Sequence, residues 1–269
     1  MPTLPVNGHE LYYERRGEGE PLLLIQGLSG HSLHWGEEFL GLLERDFELV
    51  LYDHRGVGRS TGDETPFSIA DLAADAAELL EGLKIERAHV LGISMGGMIA
   101  QELALSCPEH VLTLTLGCTY PGGPRSTFTE DRVINDLAMA IMSGDVDRRL
   151  RAGWGFNVSP GHAAGEGNYE RFVAVAEQHP VTLPMVMAQV QAVMEHDTSE
   201  RLAEIAAPTL VVHGTADQML SSANGELVAE LIPGARLELL HGIGHMFFWE
   251  LPERSAALIA EHVSAARTQ

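Results

Sequence analysis

A serine flanked by small residues, Gly92-Ile93-Ser94-Met95-Gly96, stands between a short apolar run and a helical run from Met98 to Leu105. A turn from strand into helix at this point holds the serine in a strained backbone conformation with its hydroxyl above the sheet. Only glycine-sized neighbours two places away let the chain pass. The helix beneath it offers unpaired amide hydrogens and the positive end of a dipole, which favour the negative charge that develops in acyl transfer. Ser94 is therefore the expected nucleophile, and the Met95 amide one donor to the oxyanion. A serine needs a histidine base, and the base an orienting acid, downstream in the order Ser, acid, His. His241 and His245 both follow the last expected strand, and His245, in the flexible stretch Gly242-Ile243-Gly244-His245, is the preferred base. The run Leu210-Val211-Val212-His213 leads into Gly214-Thr215-Ala216-Asp217, which sets Asp217 beyond the carboxyl end of a strand, where open α/β sheets carry functional groups. The competing position offers Gly117, Cys118 and Thr119 and no carboxylate, so Asp217 is the acid largely by elimination. A second oxyanion donor is expected from Gln26-Gly27-Leu28-Ser29-Gly30, with the Leu28 amide as candidate.

These groups require a frame. Asn7-Gly8 suits the positive backbone angles of a tight hairpin, so residues 4 to 16 read as two antiparallel strands at a sheet edge. Short apolar runs at Pro21 to Gln26, Glu48 to Asp53, Ala88 to Gly92, Val111 to Leu116, Pro208 to His213 and Arg236 to Leu240 predict six further strands, most of them buried on both faces. Between them Ile69, Leu72, Ala73, Ala76, Leu79, Leu80 and Leu83 recur at helical spacing, with Ser68 and Asp71 able to form a capping box. Helices are also expected at Ser222 to Leu231 and Pro252 to Val263. Strand and helix in alternation predict the α/β class: a mostly parallel eight-stranded sheet flanked by helices.

Residues 119 to 205 break that alternation, with helical periodicity and no clear strand, and predict a helical cap inserted into a core formed by residues 1 to 118 and 206 to 269. The cap holds Met139, Met142, Met185, Met187 and Met194 with Phe128, Trp154, Phe156 and Phe172. Met packs against varied apolar shapes. The expected pocket lining is His31 and Trp35 after the oxyanion loop, Met139, Met142, Trp154 and Met187 in the cap, and Met246 beside His245. From Thr119 to Glu204 seven Arg and no Lys face twelve Asp and Glu, a balance of -5, so an anionic substrate needs one specific anchor such as Arg125, Arg132 or Arg151. Asp53 to Ser60 is rich in charge and glycine but fits a turn locked by an Asp and Arg network, and it lacks the P-loop lysine.

Composition bounds the partners. The 269 residues carry 17 Lys and Arg against 38 Asp and Glu, a net charge of -21 that repels nucleic acid and anionic membrane surfaces. No apolar run approaches the roughly 18 to 20 residues of a membrane helix. No basic segment leads into an apolar stretch at the amino terminus, and Cys107 and Cys118 are too few and too scattered for a disulfide framework or a zinc site. A cytoplasmic location, no metal and no cofactor are expected.

Over essentially its whole length the chain resembles the α/β-hydrolase superfamily. The resemblance rests on the Gln26-Gly27-Leu28 loop, on Tyr52-Asp53-His54-Arg55-Gly56-Val57-Gly58-Arg59-Ser60, on the Ser94 turn, on His213-Gly214-Thr215-Ala216-Asp217, and on Gly244-His245. Gly92 to Gln101 is similar to the small cofactor-free esterases, enol-lactonases and haloperoxidase-like perhydrolases. One departure is that the family usually has His before the oxyanion-loop glycine, where this chain has Gln26. Epoxide hydrolases and haloalkane dehalogenases of this fold carry Asp at the elbow, and Ser94 argues against both. The expectation is a serine carboxylesterase for small, mainly apolar esters. Enol-lactonase, perhydrolase and a low-turnover ligand receptor on the same scaffold are the alternatives.

Overall fold

In the computed structural model, which describes residues 2–63 and 65–267, eight strands form one sheet. They are β1 (Thr3–Val6), β2 (His9–Arg16), β3 (Glu20–Ile25), β4 (Phe47–Tyr52), β5 (Ala88–Ile93), β6 (Val111–Gly117), β7 (Thr209–Gly214) and β8 (Arg236–Leu240), in the spatial order β1-β2-β4-β3-β5-β6-β7-β8. The β1/β2 hairpin turns at Asn7 and Gly8, both at positive φ (45° and 84°), and occupies the sheet edge as expected. It pairs antiparallel to β4, and every remaining pairing is parallel.

The helices are α1 (Glu37–Leu43), α2 (Ile69–Gly82), α3 (Met95–Ser106), α4 (Asp131–Met142), α5 (Val146–Asn157), α6 (Pro160–Ala163), α7 (Asn168–Ala176), α8 (Leu183–Glu195), α9 (Ser222–Leu231), α10 (Phe247–Glu250) and α11 (Pro252–Ala266). The capping box forms at the head of α2: Asp71 N donates to Ser68 Oγ at 3.1 Å, and Ser68 N donates to Asp71 Oδ2 at 2.7 Å. The two faces of the sheet bury separate apolar clusters. One packs Leu72, Leu79, Ile99 and Leu103 of α2 and α3 against Leu23 and Val90, and the other packs Phe39, Leu43, Leu258 and Ile259 of α1 and α11 against Leu24 and Leu91.

Helices α4 to α8, the cap, all lie between β6 and β7. The cap reaches both clusters, through Met185 and Ala192 of α8 on one side and through Trp154 and Val158 on the other. Among the described residues no helix is long and apolar enough to cross a membrane.

Register decides where the chemistry falls. Ile25 pairs with Gly92, Gly92 with Leu116, Gly117 with Val212 and Gly214 with Leu240, so the central strands end at one level. The segments that follow β3, β5, β6, β7 and β8 therefore emerge side by side at the carboxyl edge of the sheet, the edge that carries ligand and catalytic groups in open α/β folds.

Candidate active site

Ser94 sits at φ 56°, ψ -123°, a backbone conformation that is strained for a residue with a Cβ. Close packing on both sides enforces it. A side chain at Gly92 would strike the Gly96 carbonyl, and one at Gly96 would strike the Ile25 and Gln26 carbonyls. The Ser94 amide donates to Gly117 O at 2.9 Å, and Thr119 Oγ1 donates to the Ser94 carbonyl at 2.8 Å. The elbow is thereby bound to the end of β6.

The loop after β3 passes directly over this serine, because a Cβ built on Gly27 would lie 3.1 Å from Ser94 Cβ and 3.7 Å from Oγ. Gln26 turns its side chain back on the loop, and Oε1 accepts from Gly27 N at 2.8 Å. The cap holds the next residue, since Ser29 N donates to Gln189 Oε1 of α8 at 2.8 Å. Neither the Leu28 amide nor the Met95 amide donates a hydrogen bond within the protein among the described residues.

Asp217 lies just past β7 with its side chain fully buried. Its Oδ2 accepts from His245 Nδ1 at 2.7 Å, and its Oδ1 accepts the Met219 and Leu220 amides at 2.8 and 2.9 Å. Burial alone pushes the carboxyl pKa up, but the adjacent His245 and His213 outweigh it and hold the group well below the ordinary carboxylate range. Asp217 is thus ionised. Since it can only accept, Nδ1 of His245 carries the proton and Nε2 is left with its lone pair. His241 is exposed and makes no contact with this carboxylate, so His245 is the histidine that meets it. Ser94 Oγ and His245 form no hydrogen bond in this structure. Such contacts often tighten only once substrate is bound.

Three neighbours were not singled out from the sequence as site residues. His213 Nε2 lies 3.2 Å from Asp217 Oδ2 and 3.0 Å from Leu220 O, and since both partners only accept, Nε2 is the protonated nitrogen. The spacing of four residues between His213 and Asp217 was the available signal. Glu250 of α10 binds the His245 loop through Gly244 N at 2.8 Å. Cys118 has its thiol close to Asp217 and His245, the three ligand atoms all lying within 4.8 Å of one another. This trio does not suit a metal ion: burial and the Asp217 charge push the thiol pKa well up, and both Asp217 oxygens are already occupied by donors.

The expected pocket residues are scattered. His31 is fully buried near the oxyanion loop with His34 and His179 against it, at ring-centroid distances of 4.0 and 5.4 Å. Trp35 is sealed into the core against Phe248 at 4.9 Å, and Trp154 is stacked on Phe172 at 5.1 Å. Met246 is buried next to His245. Met139, Met142 and Met187 instead face solvent at 57%, 82% and 56% exposure, on the outer surfaces of α4 and α8. The three arginines weighed as anion anchors are engaged elsewhere: Arg125 with Glu230, Arg151 with Asp147 and the Tyr169 ring, and Arg132 over Phe156. Asp53 accepts from Ser32 N at 2.7 Å and from Arg59 N at 2.9 Å, which is the locked turn expected of it.

Comparison with known proteins agrees with the fold. A family model described as the alpha/beta hydrolase fold matches residues 20–154. A protein of Azorhizobium caulinodans whose name assigns it as the carbamate hydrolase RutD is 31% identical, covering 94% of each chain. Rhodomycin D methylesterase DnrP of Streptomyces peucetius is 28% identical over 99% of each. The crystal structure of a hydrolase from Pseudomonas aeruginosa PA01 matches with a TM-score of 0.84 at 29% identity, covering 97% of each chain. With its sheet order, strained serine elbow and buried Asp217 and His245 pair, the chain belongs to the α/β-hydrolase family and is an enzyme of that family.

Proposed function

We propose that the chain is a serine hydrolase that cleaves carboxylic esters of small, mainly apolar substrates through an acyl-enzyme. The observation that carries this reading is the 2.7 Å hydrogen bond between His245 Nδ1 and Asp217, which leaves Nε2 free to act as a base at the edge where Ser94 is held at its strained elbow.

His245 Nε2 takes the Ser94 proton as Oγ attacks the carbonyl carbon, and Asp217 stabilises the imidazolium that forms. The Leu28 and Met95 amides, which have no hydrogen-bond partner among the described residues, donate to the oxyanion. His245 returns the proton to the leaving alkoxide and the alcohol departs. Water, deprotonated by the same nitrogen, then attacks the acyl-enzyme, and Ser94 leaves as the alcohol. His31 is held uncharged by burial, its pKa lowered to about 4, so it adds no positive charge beside the oxyanion loop. With Arg125 and Arg151 already paired to Glu230 and Asp147, neutral esters are favoured over anionic ones.

Carbamates are the second reading, favoured by the name of the relative at 31% identity, and they undergo the same steps through a carbamoyl-enzyme. Aryl esters of graded acyl length, a lactone and an aryl carbamate should be assayed together with covalent labelling by a serine-directed phosphonate. Ser94→Ala should lower turnover on every substrate by roughly 10³-fold or more and abolish labelling. Full esterase activity in that variant refutes the reading.

A further inference from the structure

The loop carrying His245 is fastened to the cap on both sides of the histidine. On one side Met246 N donates to Asn157 O at 2.8 Å. On the other, Glu250 joins the two segments through three hydrogen bonds. Its Oε1 accepts from Gly244 N and from Ser159 N, each at 2.8 Å, and its Oε2 accepts from Ser159 Oγ at 2.5 Å. Gly244 also lies flush against the cap, because a Cβ there would sit 2.6 Å from the Val158 carbonyl carbon and 2.7 Å from Ser159 N. Acyl transfer has no use for this carboxylate, since Asp217 already orients the imidazole. Instead Glu250 reaches Ser159, 91 positions away in sequence, and holds the backbone next to His245 to the segment between α5 and α6. Charge-assisted bonds from backbone amides to a carboxylate are short and directional, so this tie fixes geometry as well as proximity. The contact left open in the structure, Ser94 to His245, is the one this tie governs.

We infer that Glu250 is a positioning residue that couples the seating of the cap segment at residues 157 to 159 to the placement of the His245 imidazole over Ser94. The inference rests on the proposed role of His245 as the base. A substrate that seats the cap thereby aligns the base, so substrate fit is expressed in kcat more than in KM.

The test compares Glu250→Ala, Glu250→Gln and Ser159→Ala in the full-length protein, with Ser94→Ala and His245→Ala alongside. Aryl-ester kinetics, the rate of phosphonate labelling and the downfield proton resonance of His245 Nδ1–H are recorded for each. Glu250→Ala should lower kcat and the labelling rate by about 10- to 100-fold, the cost of a small misplacement of a catalytic group. KM should hold within about threefold and the resonance should shift or broaden as the ring loses its place. Glu250→Gln should recover kcat to within about threefold, because its Oε1 still accepts both amides and its Nε2–H can donate to Ser159 Oγ. Its pH profile should overlay that of the unmodified protein. Ser159→Ala, which removes one of the three bonds, should lower kcat by about threefold. The role is overturned by an unchanged kcat and resonance in Glu250→Ala, or by a Glu250→Gln variant as impaired as the alanine with a displaced pH profile. Should Glu250→Ala fail to fold, an unchanged kcat in Ser159→Ala overturns it. Activity surviving in Ser94→Ala or His245→Ala defeats the serine-hydrolase reading itself. Loss in those two with a normal Glu250→Ala defeats only the coupling.

Discussion

The carboxyl edge of the sheet and the cap are built under opposite constraints. At the edge, side chains added to Gly92, Gly96, Gly214 or Gly244 would run into neighbouring backbone, whereas Gly144, Gly153, Gly155, Gly161 and Gly167 of the cap have open space around them. Strands β5 and β7 are buried at every position, while α7 buries no residue fully, and among the described residues the exposed large hydrophobics fall between Phe128 and Met194. The edge is fixed by backbone packing, and the cap rests on it through a few buried apolar residues, such as Met185 and Trp154, and polar ties such as Ser29 to Gln189 and Ser159 to Glu250. On the proposed function, reaction geometry belongs to the region that tolerates least change, and substrate choice to the region that tolerates most.

The largest expected effect tests the edge through its chemistry. Asp217→Asn keeps the shape but removes the charge and, with it, the reason for Nδ1 of His245 to hold the proton. Steady-state kcat on an aryl ester should fall by about 10⁴-fold with a near-normal melting temperature. A loss below tenfold breaks the premise that this carboxylate fixes the imidazole. Next comes the backbone. Gly96→Ala drives a methyl group into the Ile25 and Gln26 carbonyls, so the elbow must shift, at a cost of about 3 to 5 kcal/mol by denaturant unfolding. Gly153→Ala in α5 should be neutral or stabilising by up to about 1 kcal/mol, since alanine favours helix and finds open space there. Equal costs at the two sites would erase the contrast between the regions.

How much could be read in the sequence follows the same division. The Ser94 turn, the strand-end position of Asp217 and the eight strands were legible because close backbone approach demands glycine, buried strands demand continuous apolar runs, and strand ends fix the order of the segments at the edge. His245 was separable from His241 because its glycine-flanked loop could travel, and the 2.7 Å bond to Asp217 agrees. The pocket was not legible. Met139, Met142 and Met187 carry the same helical spacing as core residues, and periodicity identifies an apolar face without saying whether anything covers it. His213 and Glu250 escaped for a different reason. Glu250 meets Ser159 91 positions away, which no periodic pattern announces, and His213 offered only its four-residue spacing from Asp217.

Acid should separate the two regions. Burial lowers His31 to about 4, burial with repulsion from His31 lowers His34 to about 3, and burial lowers His196 at the end of α8 to about 4. Asp53 partly opposes the shift at His31, while His179 and Arg59 reinforce it. Each of these histidines is favoured neutral in the native state, so its contribution is full above the unfolded value of 6.5 and is lost as pH falls from there toward the native value. Asp217 and Asp53 behave in the opposite sense. Their native values lie below 3.8, so the stability they confer persists until the pH drops beneath that. Hydrogen exchange between pH 6.5 and 4 should accelerate in α8 and in α7 where it packs against the His31 and His34 segment, with β7 protected until lower pH. Simultaneous loss in both regions would show that they open as one unit.

A smaller effect concerns the second imidazole on Asp217. His213→Gln keeps an N–H near Oδ2 but changes its angle and polarity. The expected loss is about tenfold in kcat at unchanged KM, the worth of one hydrogen bond to a charged group. An unaltered kcat would mean that His245 and the two backbone amides suffice to hold the carboxylate, and that the edge is over-determined beyond His213.

The smallest expected effect bears on the cap's outer surface. Met142 is 82% exposed at the end of α4, and Met139 on the same helix is 57% exposed. Replacing an exposed apolar side chain by a charged one sacrifices little buried area, so Met142→Glu should change unfolding free energy by no more than about 0.5 kcal/mol. If these methionines contact only water, kcat/KM across the acyl-length series should also be unchanged. A KM that rises with acyl length in Met142→Glu would instead mean that this face folds inward over substrate. Trp154→Ala supplies the contrast from within the same cap. Its indole is 3% exposed and packs on Phe172 near Val158, so its removal should cost about 3 to 5 kcal/mol and loosen the segment that Glu250 ties to His245. The cap is thus expected to be permissive on its outer helices and strict along the strip from Trp154 to Ser159, where it touches the histidine loop.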